Sequence, residues 1–188
     1  MVTLYKLLKS IFIKPNKIIV NEKIIILSHL INIDNLYDDK DPYFGNLQNF
    51  FLKENYKCKK ILINHIGKKS NEINSNNGTF VLPKIDSFKI EINIFFQLLN
   101  IFFLLIKNSY KLLVDGINPF FLIIVLLKSL SYNTQSAIRI GIQIKNMLSR
   151  NEHHILFTTF EGHCFEKMIK KLNENIKFFA YQNTPLSD

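Results

Sequence analysis

Arginine is nearly absent from this chain. Arg139 and Arg150 are the only two, within a combined lysine and arginine count of 24. There is no arginine-rich tract, no RNP-like aromatic motif and no zinc-type ligand spacing, so the usual grounds for specific nucleic-acid recognition are missing. Cysteine is as sparse. Cys58 and Cys164 lie far apart, which leaves no disulfide framework and makes a reducing cytoplasm the expected compartment. Cys164 sits near an expected helix N-terminus, where thiol acidity rises; with no partner in its spacing, it reads as a small core thiol. Tryptophan is absent and glycine scarce, at 6. Residues 1–22 are basic and apolar but lack a long apolar centre and a small-residue cleavage site, which argues against a secretory signal and suits a short amphipathic segment able to lie on a membrane. No apolar run reaches the roughly 18 residues of a clear membrane span, and no solenoid repeat is found.

What is present is a chain of 188 residues, long enough to bury one core of ordinary size. Hydrophobic residues make up 47%, with 17 phenylalanines. Net charge is +9. Such a surface attracts phosphates, nucleic acid or anionic lipid heads; in a lysine-rich chain it reads first as a solvated basic face.

Lys23 to Ser28 (KIIILS) and Lys60 to Ile66 (KILINHI) are continuous apolar runs of the kind that form buried parallel strands. Between them, Pro42 and the helical spacing of Phe44 to Tyr56 predict a helix, so residues 23–66 form a βαβ block with a right-handed crossover. Phe80 to Pro83 is a short extended piece. Residues 88–150 are strongly apolar and read as helices, two of them around Ile94–Ile106 and Phe120–Leu127 and a third over Ser136–Leu148. The last block, 153–183, repeats the first pattern: Ile155–Phe160 as a strand, Phe165, Met168, Ile169 and Leu172 at helical spacing, and Ile176–Tyr181 as a strand. The expected class is α/β: a parallel sheet with flanking helices and an apolar helical insertion, in one domain over 23–188.

Ligands of open parallel sheets bind beyond the carboxyl ends of the strands. Glu161-Gly162-His163, Gln182-Asn183 and His29 belong at that edge. Gly162 permits a sharp turn and close approach of a ligand. The next helix points free N–H groups there. His163 suits a general base, since histidine titrates near neutrality, with Glu161 orienting it. The competing reading makes Glu161 a helix cap and His163 a first-turn surface residue. Glu166 follows as a surface or capping acid, and the amides of Gln182 and Asn183 can only bind. His29 ends a strand beside an acidic loop (Asp34, Asp38, Asp39, Asp41) that matches no metal-binding motif and reads as solvated. His153-His154, at the opposite end of a strand, reads as surface.

Two stretches carry a resemblance. One is Ser28-His29-Leu30 with Asp41 to Leu47 (DPYFGNL); the other is Thr159-Phe160-Glu161-Gly162-His163, Phe165-Glu166 and Tyr181-Gln182-Asn183. They resemble a family of bacterial surface-carbohydrate biosynthesis proteins, which are similar to glycosyltransferases of the two-domain GT-B type. Phe165 stands where that pattern has Trp. Asn183 stands where it has His, which removes a titratable group. The resemblance implies a Rossmann-like, acceptor-side amino-terminal domain whose second domain is missing. It implies sugar transfer in surface polysaccharide assembly, from a nucleotide-sugar donor to a glycan or lipid-linked acceptor, with no bound cofactor or metal. The catalytic pair would be His163 and Glu161, with Gly162, Glu166, Gln182, Asn183 and His29 binding substrate. It implies a chain inactive without a second domain or chain, placed in the cytoplasm or peripherally on the inner face of the plasma membrane. The alternatives are a non-catalytic membrane-surface or assembly protein on the same scaffold, contacting an anionic membrane, and a gene fragment.

Overall fold

The computed structural model describes residues 2–14, 19–36, 40–66, 79–148, 153–159, 163–173 and 176–181. The chain divides into two compact units. One comprises residues 1–16 and 85–139, the other 17–84 and 140–188.

In the first unit, helices α1 (Val2–Ser10) and α4 (Pro119–Ser129) pack on α3 (Phe88–Val114), and α5 (Tyr132–Met147) begins there. The sequence around Ile94–Ile106 predicts an apolar run too short for a membrane span. Instead α3 continues through Asn93, Gln97 and Asn100 for 27 residues, long and apolar enough by length and composition to cross a membrane. It ends at Val114 because Gly116 takes φ +85, a left-handed conformation open to glycine. Asn118 then caps α4, its side chain accepting the Phe120 N–H at 2.8 Å, with Pro119 in the first turn. A buried ion pair, Glu91 with Arg139, ties α3 to α5 through two bonds of 2.6 Å.

The second unit holds a five-stranded sheet of β1 (Ile24–Leu30), β2 (Cys58–Asn64), β3 (Thr79–Leu82), β4 (His154–Thr159) and β5 (Ile176–Tyr181). The order is β3-β2-β1-β4-β5 and every pairing is parallel. This is the expected Rossmann-like sheet. All seven positions of β1 are buried, which is why it opens on the unbroken apolar run Ile24–Leu27 rather than an alternating pattern. Helix α2 (Leu47–Lys53) lies on one face, where Phe44, Leu47 and Phe51 pack against Ile24, Ile26, Cys58 and Phe157. Strand side chains alternate between faces, so His29 belongs to the opposite face. There it meets Phe165 of α6 (Cys164–Leu172), ring centroids 5.8 Å apart. A Cβ on Gly141 of α5 would lie 3.1 Å from Leu172 and 3.2 Å from Met168, so the absent side chain lets α5 and α6 pack closely on that face.

Helix α2 is shorter than its periodicity predicts. Asp41 and Gly45 exchange both backbone hydrogen bonds at 2.8 Å, with Gly45 at φ +55. That closed loop occupies the residues expected to form the first helical turn.

Candidate functional site

The chain leaves β1 to one side through α2 and β2, and returns on the other side at β4. The strand order therefore reverses between β1 and β4, and the crevice beyond that point is where open parallel sheets bind ligands. Three of the five histidines reach it. His29 is in β1, His65 follows β2 directly, and His163 precedes α6, four residues after β4.

His29 is the centre, 4% exposed. Its Nδ1 lies 2.7 Å from Nε2 of His65, and its Nε2 lies 3.2 Å from Oγ1 of Thr159 at the end of β4. One proton is shared along each contact. Either His29 donates to His65 and accepts the Thr159 hydroxyl, or it accepts from His65 and donates to Thr159. Both arrangements satisfy all three groups, so a proton moving at His65 can be matched by a shift of tautomer at His29. His65 is exposed as a residue, but its Nε2 edge rests on buried His29. Its pKa is lowered from the usual 6.5, first by desolvation, then by the charges of Lys84 and His163. It is therefore neutral near pH 7 and able to accept a proton.

Aromatic rings frame the cluster. His163 takes the N-cap position of α6 in extended backbone. It stacks on Phe165 at 5.2 Å and 18°, with its ring 5.8 Å from that of His29. Tyr43 approaches His29 at 5.1 Å. It is held there by Asp41, whose Oδ1 accepts the Ser28 hydroxyl at 2.7 Å and the backbone N–H groups of Tyr43 and Phe44 at 3.0 and 3.2 Å. The other carboxylate oxygen of Asp41 is buried and finds no partner among the described residues. Among those residues, no group of three His, Cys, Asp or Glu is placed to hold a metal ion.

His29 and His163 thus come together as the sequence suggests. Glu161, Gly162, Gln182 and Asn183 lie outside the described residues, as do Asp38 and Asp39. Several readings are corrected. Asp41 is not a solvated loop acid: at 6% exposure it anchors the loop to β1. Glu166 is not on the surface of α6 but buried with Phe165 and Ile169, because the first turn of that helix faces the sheet. His154 is buried, its ring Nδ1 2.9 Å from the Glu22 carbonyl; only His153 of that pair is exposed. Cys164 is exposed and Cys58 is the core thiol.

His65, Thr159 and Tyr43 were missed as site residues. One signal was available: IIILSH and ILINH both place a histidine where a buried strand ends, and TTFEGH does so after a short turn. Neighbouring parallel strands bring such residues to one edge.

Comparison with protein-family models, with curated proteins and with solved structures finds no match to the chain.

Proposed function

We propose that the second unit is the acceptor-side domain of a glycosyl-transferring enzyme of surface polysaccharide assembly. The observation that carries this reading is the histidine cluster at the reversal of strand order. The sequence resemblance supplies the substrate class: a nucleotide-linked sugar as donor and a glycan or lipid-linked hydroxyl as acceptor. In this reading the acceptor oxygen bonds to the anomeric carbon as the sugar–phosphate bond breaks. The hydroxyl proton passes to one of the two rim imidazoles, His163 or His65, and the nucleotide leaves with the bonding pair. His29 and Thr159 hold His65 in position rather than touching substrate. The first turn of α6 begins beside His163, and its backbone N–H groups suit a phosphate oxygen. The proposed location is the cytoplasmic side of the plasma membrane, where lipid-linked acceptors lie.

The test is a titration of the imidazole Cε1–Hε1 signals with UDP-, GDP- and CMP-linked sugars and with surface-glycan oligosaccharides. His29, His65 and His163 are expected to shift together with at least one of them. The His29→Phe variant is expected to weaken that response while leaving the signal of His153 unchanged. If no probe moves any of the three imidazoles, the reading is wrong.

A further inference from the structure

The first unit wears its apolar residues on the outside. Phe12 is 88% exposed, Phe120 71%, Leu127 68% and Phe103 60%. In the apolar window of α3 only 17% is buried. A helix packed on a soluble core carries one apolar stripe and a polar remainder. Here no charged residue occurs from Ile92 to Ile106, and none from Ile117 to Leu127.

The charges sit at the margins and are predominantly positive. Residues 1–16 and 85–139 contain seven lysines, Arg139, Asp86, Glu91 and Asp115. The buried Arg139–Glu91 pair cancels, so seven lysines against two aspartates leave +5. Lys107 and Lys111 lie in the last two turns of α3, and Lys128 in the last turn of α4. An exposed apolar surface bordered by cations is complementary to a bilayer with anionic headgroups, in which lysine stems lie along the apolar layer and their ammonium groups reach the phosphates.

We infer that the first unit seats itself in the headgroup layer of an anionic bilayer, with α1, α3 and α4 lying along the surface rather than crossing it. At about 1.5 Å per residue, the nine residues of α1 and eleven of α4 reach roughly 14 and 17 Å, half of a hydrocarbon core of about 30 Å. Only as a bent pair with α5, turned by 48°, is α4 long enough, and α5 carries the polar side chains of Gln135, Arg139 and Gln143, which are buried against protein. Asn93 and Asn100 are exposed on α3. A spanning helix would carry them into hydrocarbon, whereas the interface hydrates them. The inference rests on the first unit alone and stands whatever the second unit binds.

The chain has no tryptophan, so the single changes Phe103→Trp and Phe120→Trp, both at exposed positions, each give one clean optical probe in the full chain. With mixed phosphatidylcholine–phosphatidylglycerol vesicles, both probes are expected to shift to the blue. Both should be quenched more by lipids brominated near the headgroup than by lipids brominated deep in the chain. Pure phosphatidylcholine should bind more weakly. The double change Lys107→Gln with Lys111→Gln should weaken binding to the anionic vesicles roughly 25-fold, since each basic side chain near such a surface is worth about a factor of five. Flotation of the unaltered chain with the same vesicles provides a readout free of substitution. Three results would overturn the inference: both probes unmoved by vesicles and the chain left in the aqueous layer; blue emission that vanishes on dilution without lipid, which assigns the surface to a second copy; or deep quenching at Phe103→Trp, which makes α3 a span.

Discussion

Replacing Glu91 by Gln removes one charge and almost no volume. The structure states what is then left behind. Arg139, 3% exposed, donates from Nε and Nη2 to the two carboxylate oxygens of Glu91, itself 2% exposed, at 2.6 Å each. One of those oxygens also accepts the Asp86 N–H at 3.0 Å, just before the first turn of α3. In Glu91→Gln the amide oxygen can keep one of these bonds, but the guanidinium becomes a buried cation with no counter-charge. Breaking a buried pair by removing one partner costs about 3–5 kcal/mol, most of it the uncompensated charge. The retained amide acceptor places the expected cost near the lower figure, about 3 kcal/mol. At about 1.36 kcal/mol per tenfold, that opens the start of α3 roughly 150-fold more often. Hydrogen exchange read by mass spectrometry over residues 88–98 reports it directly, without requiring the two units to unfold as one. The double change Glu91→Gln with Arg139→Met removes both charges and should recover most of the protection, giving a coupling of about 2 kcal/mol or more. Exchange in Glu91→Gln within threefold of the parent would refute this account. So would a double variant as open as the sum of the singles, which would mean that the pair is solvated in solution.

Two further outcomes follow from the second unit. Because the pKa of His65 is lowered in the fold, the unfolded chain takes up a proton first as pH falls below about 6.5. This residue's contribution is therefore intact above that pH and is lost progressively down to its lower folded value. Its imidazole shift should titrate with a midpoint below 6.5, and a midpoint at or above 6.5 would contradict the packing against His29. Burial, with the nearby Glu22 charge, pushes the Cys58 thiol up to about 12. At pH 8 roughly one molecule in ten thousand then carries that thiolate. Iodoacetamide should label exposed Cys164 and spare Cys58 until the protein is denatured; equal labelling of the folded chain would contradict the buried assignment.

The local conformations of this chain were legible in its residues. KIIILS and KILINHI are apolar without alternation, a pattern suited to strands covered on both faces, and they form neighbouring parallel strands. The helix of the last block follows the spacing of Phe165, Met168, Ile169 and Leu172. The histidines that end the strands could also be read, and His29 and His163 were. Other features depended on partners distant in the chain. Strand order is a matter of which elements bury each other's faces, and it sets Thr159 against His29 across 130 positions. Asp41, Glu166, His154 and the Glu91–Arg139 pair look like surface polar residues in the sequence. An isolated charge is too costly to bury; Asp41 is matched by the Ser28 hydroxyl, His154 by the Glu22 carbonyl and Glu91 by Arg139. Each match is long-range, and neither periodicity nor composition records it. Helix α3 makes the same point from the apolar side. Its residues dictate a long hydrophobic helix, while only the tertiary structure decides that most of its apolar window stays uncovered by the other described residues.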